Sequence, residues 1–142
     1  MSQKNTHLLR QSIAKWEKNA RVTTLEDAKL GMSECPLCHE YAVRNEGASC
    51  VGCPIMKYTG RPSCINTPYY DAEDAYEYEE LSSFTVAARE EVKFLRRVLE
   101  VELIQSYLTR KQILFAAAAI TAALSFGFLL MLIFAAALPK PV

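Results

Sequence analysis

Apolar side chains recur at helical spacing near both ends of the chain and lose that spacing in between. Near the N-terminus, Leu9, Ile13 and Trp16 fall at i, i+4 and i+7, one face of a helix. Asn5 or Thr6 can cap this helix. It is expected to run from His7 to about Asn19, with that face packed on the rest of the domain. A second, short helix is expected from Thr24 to Leu30. Thr23 with Glu26, or Thr24 with Asp27, has capping-box spacing, and Gly31 sits where a C-terminal cap belongs. Farther on, Ala88, Val92, Leu95, Leu99 and Leu103 form a helical stripe, and Arg89, Glu90, Lys93, Arg96 and Arg97 lie off it. The pattern predicts one helix from about Phe84 to Arg110, with no break before the residues that follow. Val98 to Leu103 also alternate as a strand would, but no turn residues flank them, so helix is preferred.

Residues 32–70 between these helices read as loop. They contain Pro36, Pro54, Pro62 and Pro68, three glycines and all five cysteines, which excludes long regular elements. Order there has to come from something other than a ladder of backbone hydrogen bonds. Residues 71–82 are acidic with interleaved tyrosines. Asp71 is placed to start a helix, because acidic side chains favour a first turn. The acidic run reads as a solvated face, with an acidic docking surface as the alternative.

Ile113 to Leu138 is 26 residues without a charge, fourteen of them Leu, Ile, Phe or Met. A helix of that length spans roughly 39 Å, more than a hydrocarbon core of about 30 Å. At about −0.3 to −0.6 kcal/mol per strongly apolar residue, insertion is favoured by several kcal/mol. A remainder of 112 residues is too small to surround such a helix. The expectation is therefore a single transmembrane helix at 113–138 with a short tail at 139–142. Arg96, Arg97, Arg110 and Lys111 precede the segment and only Lys140 follows, so the N-terminal domain is expected to face the cytoplasm. No signal-peptide pattern precedes it, since residues 1–34 contain no apolar run of seven. Ala119, Ala123 and Gly127 stand four apart, a small-residue pattern that lets two such helices approach closely and form a homo-oligomer.

The whole chain has 142 residues with 16 basic and 16 acidic side chains. Zero net charge argues against a nucleic-acid binder. The charge is unevenly spread. Residues 1–70 carry a basic surplus of three, 71–112 an acidic surplus of four, and 113–142 only Lys140. The polar body is thus divided into N-terminal helices at 1–31, a cysteine-rich region at 32–70, and an acidic segment with an amphipathic helix at 71–112. A body this small buries a modest core, and a metal or disulfide staple is the usual remedy.

The cysteines suggest which staple. Cys35-Pro36-Leu37-Cys38 and Cys50-Val51-Gly52-Cys53 are two C-x2-C pairs, eleven residues apart, and Cys64 follows after ten more. A C-x2-C turn points two thiolates at one centre, and two such turns complete a tetrahedron around structural Zn²⁺. Cys64 is either a small buried hydrophobe or a ligand that replaces one of the four. Three other readings compete. Disulfides leave one of five thiols unpaired and conflict with a cytoplasmic domain. Covalent haem is suggested by Cys35-Pro-Leu-Cys38-His39, with Met32 or Met56 as axial ligand, but leaves Cys50 and Cys53 unused. Iron held as in rubredoxin uses the same four thiolates. His39 is expected to face solvent or to support the metal from outside its ligand shell. No nucleophile, acid and base are arranged for catalysis, and there is no phosphate loop or calcium loop.

These motifs, with Cys53-Pro54-Ile55, Thr59-Gly60, Cys64-Ile-Asn-Thr67-Pro68-Tyr69 and Ala87-Ala88-Arg-Glu-Glu-Val92-Lys-Phe94-Leu95, resemble a family of small cysteine-rich proteins found in phage and prokaryotic genomes. The resemblance covers roughly residues 16–99. It implies zinc binding, without an assigned activity, and all five cysteines match, Cys64 included. Family members stop soon after the region matching Leu95–Glu100, so the apolar C-terminal segment reads as an addition that fixes location. The expected protein is mainly α and non-enzymatic: a membrane-anchored zinc module presenting a cytoplasmic domain to a protein partner. The alternatives are a membrane-bound electron carrier with thiolate iron or c-type haem, and a phage virion-membrane or lysis component.

Overall fold

The computed structural model of the chain describes residues 3–43 and 50–137, and for 43, 122, 123 and 126–137 it describes the backbone alone. The architecture is mainly helical, and no strand occurs among the described residues. The described residues form α-helices in the order α1 (Gln3–Asn19), α2 (Pro36–Cys38), α3 (Pro54–Thr59), α4 (Pro68–Glu77) and α5 (Leu81–Ala137). The chain divides into two compact units, Met1–Ile104 and Gln105–Val142, with α5 contributing to each. The core and the cysteines belong to the first unit.

Helix α1 buries the predicted face, Leu9, Ile13 and Trp16, and adds Asn5, Ser12 and Asn19 to it. Two of these polar residues have clear partners. The Asn19 amide donates to the Lys29 carbonyl at 2.9 Å and accepts from the Lys29 N–H at 2.9 Å, copying a backbone pair. It pins the segment leaving α1 in place of a second helix. The expected helix from Thr24 to Leu30 is reduced to one 3-10 turn, Leu25–Asp27. Thr24 Oγ1 donates to the Asp27 carboxylate instead of capping the backbone, which explains the difference. The other partnered residue, Asn5, donates to the Glu102 carboxylate at 3.4 Å and accepts from the Tyr41 hydroxyl.

Helix α5 is continuous where the sequence left its end open, but its buried face is rotated from the expected one. Leu99 is only half-buried and Leu103 is 41% exposed. The buried line runs Phe84, Ala88, Glu91, Leu95, Val98, Glu102, in alternating steps of four and three. Two glutamates lie within this line, so a purely apolar stripe drawn through Ala88 and Leu103 misses its axis.

Aromatic rings join the helices of this unit edge to face. Trp16 of α1 meets Tyr69 of α4 at 5.9 Å, Tyr58 of α3 meets Phe94 of α5 at 5.7 Å, and Tyr76 of α4 meets Phe84 of α5 at 6.1 Å. Helix α4 starts three residues before the expected Asp71. Thr67 caps it by accepting from the Tyr69 N–H, and Pro68 takes the first helical position, where a missing N–H costs nothing.

Among the described residues no helix is long and apolar enough to cross a membrane. Of the uncharged run at 113–138, the side chains of 122, 123 and 126–138 lie outside the described residues, and so does the tail at 139–142. Two of the three small residues expected to mediate self-association, Ala123 and Gly127, fall in that group.

These positions predict a contrast within α5. In a chain ending at Arg110, which keeps the whole first unit, Leu95→Asp abolishes the cooperative thermal transition followed by circular dichroism. It places an unpaired charge at a residue that is 1% exposed. Leu103→Asp, on the expected stripe but exposed, leaves the transition within a few degrees of the unsubstituted chain. Equal loss in both variants would show that the face is drawn incorrectly.

Candidate metal centre

Two Cys-Pro steps set the local geometry. Cys35 immediately precedes α2 and Cys53 immediately precedes α3, with Pro36 and Pro54 at the first helical positions. The fixed φ of proline starts each helix at once. The next backbone N–H groups then turn back on the preceding sulfur: those of Leu37 and Cys38 on Cys35, and those of Ile55 and Met56 on Cys53. Such N–H donors favour the thiolate, the form that binds metal. Residues 32–70 were expected to be loop, and those of them that the structure describes form short helices and turns. Gly31 precedes a 3-10 turn at Met32–Glu34, and α2 passes directly into a π-helical turn at His39–Val43.

The second pair closes by a tight turn in which the Cys53 N–H donates to the Cys50 carbonyl at 2.9 Å. Cys50 and Gly52 both have positive φ, +50° and +89°. A left-handed cysteine is uncommon, and such positions collect at functional sites. A Cβ at Gly52 would also lie 3.4 Å from the Tyr41 ring, so glycine answers both the φ and the close approach. Cys64 is held from its carbonyl, which accepts from the Thr67 N–H at 3.1 Å and from Thr67 Oγ1 at 2.8 Å. The same threonine caps α4, so Cys64 and α4 are positioned together.

All five cysteines are free thiols. Cys35, Cys38, Cys50 and Cys64 line one cavity of about 200 Å³. Cys53 is buried in the core cluster with Leu37 and Ile55, two apolar residues of the same cavity wall. Cys35 feels the charge of Lys15. Cys64 feels Cys35, Cys50, Cys53 and Glu91. The two C-x2-C pairs and the fifth cysteine, separated by up to 29 positions in sequence, therefore form one electrostatic neighbourhood. His39 and His7 are exposed and stand apart from it. Among the described residues no group of three or more His, Cys, Asp or Glu side chains is arranged to hold a metal ion.

The sequence did not single out the polar groups that share this cavity. Glu91 on α5 is 1% exposed, and its Oε2 has no hydrogen-bond partner. Ser12 Oγ and Lys15 Nζ on α1 are also buried without a partner, and both residues line the cavity. Buried polar atoms are nearly always paired, so three orphans in one cavity ask for a reason. One signal was available: Glu91 falls three after Ala88 and four before Leu95, inside the helical stripe.

The charges of the thiols are graded. The Cys38 S–H donates to Cys35 and holds the Cys35 thiol below the ordinary cysteine range; burial opposes this, while the Cys38 and Leu37 N–H groups and Lys15 assist. Cys38 is pushed up, first as that donor and then by burial. Burial likewise raises Cys53 and Cys64. It pushes Glu91 up to about 8, with Cys35 adding repulsion, and it lowers Lys15. A cavity left to itself thus keeps most of its acids protonated. A bound cation reverses that preference, because it favours every anionic form around it. Ser63 and Tyr70 also line the cavity, and Met32, an exposed residue at its edge, offers a thioether.

No protein-family model, curated protein or solved structure matches the chain.

Proposed function

We propose that this chain is a non-enzymatic zinc-binding module, anchored in a membrane, whose N-terminal domain faces the cytoplasm and engages a protein partner. One observation carries the zinc reading: four thiols drawn from both C-x2-C pairs and from Cys64 line a single cavity, and each C-x2-C pair has backbone N–H groups donating to a sulfur. Cys35, Cys38, Cys50 and Cys53 are the ligands that the doubled motif favours, and Cys64 belongs to the same donor set. Thiolates select zinc or iron over hard cations. Four protein ligands close a tetrahedral sphere and leave no position for a reactive water, which favours a structural role. Metal binding then supplies folding energy to a region whose elements are each only a few residues long.

The membrane reading rests on sequence: 26 uncharged residues, preceded by Arg96, Arg97, Arg110 and Lys111. A helical backbone through Ala137 supports it, because a spanning segment must satisfy its own hydrogen bonds. The resemblance to cysteine-rich phage and prokaryotic proteins supports the module reading and leaves the partner to be found.

Two measurements test this. Elemental analysis of the detergent-purified chain is expected to find one zinc ion per chain, and chelation is expected to loosen residues 32–70 while the helical signal of 84–110 persists. Iron would turn the reading to an electron carrier, and no metal in freshly reduced protein would end it. For topology, a thiol reagent that cannot cross membranes is expected to spare Cys64 in intact cells and to label it after permeabilisation and chelation. Labelling in intact cells would place the domain outside.

A further inference from the structure

Three buried polar atoms of this cavity are unsatisfied by the chain. Ser12 Oγ, Lys15 Nζ and Glu91 Oε2 each lack a hydrogen-bond partner, and all three residues line the cavity. Ser12 and Glu91 are each 1% exposed. The Lys15 ammonium lies 4.8 Å from the centre of the Trp16 ring and does not pair with the free carboxylate oxygen. Helical spacing explains the convergence. Ser12, Lys15 and Trp16 stand at i, i+3 and i+4 on α1, and Glu91 and Leu95 at i and i+4 on α5. Two helices thus bring a hydroxyl, an ammonium and a carboxyl group to one space, whose walls include Leu37 and Ile55.

Leaving such groups unpaired is costly, and their chemistry selects what fills the space. An anion would pair with Lys15 and leave Glu91 beside a like charge. A cation would pair with Glu91 and leave Lys15 in the same position. A wholly apolar molecule would leave all three unpaired. Water bridges polar atoms but gains nothing from the apolar walls. A molecule with an acidic and a basic group close together, and an apolar remainder, satisfies every part of the lining. The cavity holds about 200 Å³. An apolar cavity of about 150 Å³ takes up benzene, so a ligand of about eight or nine non-hydrogen atoms fits here.

We propose that this cavity binds a small zwitterion, a free α-amino acid with an aliphatic side chain. Its carboxylate accepts from the Lys15 ammonium and the Ser12 hydroxyl. Its ammonium donates to the Glu91 carboxylate, and its side chain packs on Trp16, Leu37, Ile55 and Leu95. The way in lies at the edge of the cavity, where Met32 and Tyr70 are 62% and 39% exposed. The proposal goes beyond the zinc reading and does not rest on it, since no thiol takes part: the metal's ligands lie on the cysteine turns, and the amino acid is held from α1 and α5.

The test is isothermal titration of the full chain, in lipid nanodiscs, with L-leucine, isoamylamine and isocaproic acid. The amine is leucine without its carboxylate, and the acid is leucine without its ammonium. Leucine is expected to bind, and each analogue to bind roughly tenfold more weakly or worse, because one buried charged group is then left unpaired. This comparison uses the unsubstituted chain, so no variant has to fold. In Lys15→Met, where a carboxylate has lost its partner, isoamylamine is expected to match or exceed leucine. No binding of leucine at millimolar concentration would overturn the proposal. Equal binding of all three ligands would overturn it as well, since the cavity would then ignore charge. A preference for leucine over isoamylamine that survives in Lys15→Met would remove the role of Lys15 and with it the proposal. Zinc content of the same samples keeps the two readings apart. Zinc without leucine binding overturns this proposal alone, and leucine binding without zinc overturns the zinc reading alone.

Discussion

The constraint on which this domain depends is the burial of ionisable groups at the centre of a small helical core. Leu9, Trp16, Phe84, Leu95 and Val98 make an apolar interior of ordinary kind. Set among them are free thiols and a carboxylate, and a core this size cannot leave many such groups unpaired. The arrangement of the polypeptide follows that need. The Cys-Pro steps aim backbone N–H groups at sulfur, Thr67 holds both Cys64 and the start of α4, and Asn19 copies a backbone pair to close the chain back after α1. The apolar contacts supply the bulk of the driving force, and the polar groups determine which turns surround the cavity.

The terminal helices were legible because their burial follows an apolar period. Leu9, Ile13 and Trp16 are enough to orient α1, and the absence of proline between Phe84 and Leu138 is enough to make α5 continuous. The rotation of α5 was hidden for a physical reason. Its buried face includes Glu91 and Glu102, and a hydrophobic stripe gives buried glutamates no weight. The same is true of Ser12 and Asn19 on α1. The start of α4 was written in Thr67-Pro68, a cap followed by a first-turn proline, but the acidic residues after it drew attention three positions too late. The short helix expected after Thr24 failed because a threonine side chain has a choice of partners, and this one takes a neighbouring carboxylate.

The candidate site was legible in its sulfurs and not in its other members. Doubled C-x2-C spacing identifies four donors without any structure. Cys64 requires knowledge that the chain returns to the same cavity, and Glu91 and Lys15 require knowledge of which faces of α5 and α1 look into it. These are long-range facts, and one sequence contains no period or spacing that reports them. The cavity thus draws on α1, on the cysteine turns and on α5, so a ligand bound there would tie the N-terminal helix to the long C-terminal one within the first unit.

Zinc K-edge X-ray absorption of the zinc-loaded full chain tests the central claim, that these thiols are a metal's ligands, most directly. A first shell dominated by sulfur at about 2.3 Å is the predicted result. A shell of nitrogen and oxygen alone, at about 2.0–2.2 Å, would place the metal elsewhere and contradict the account.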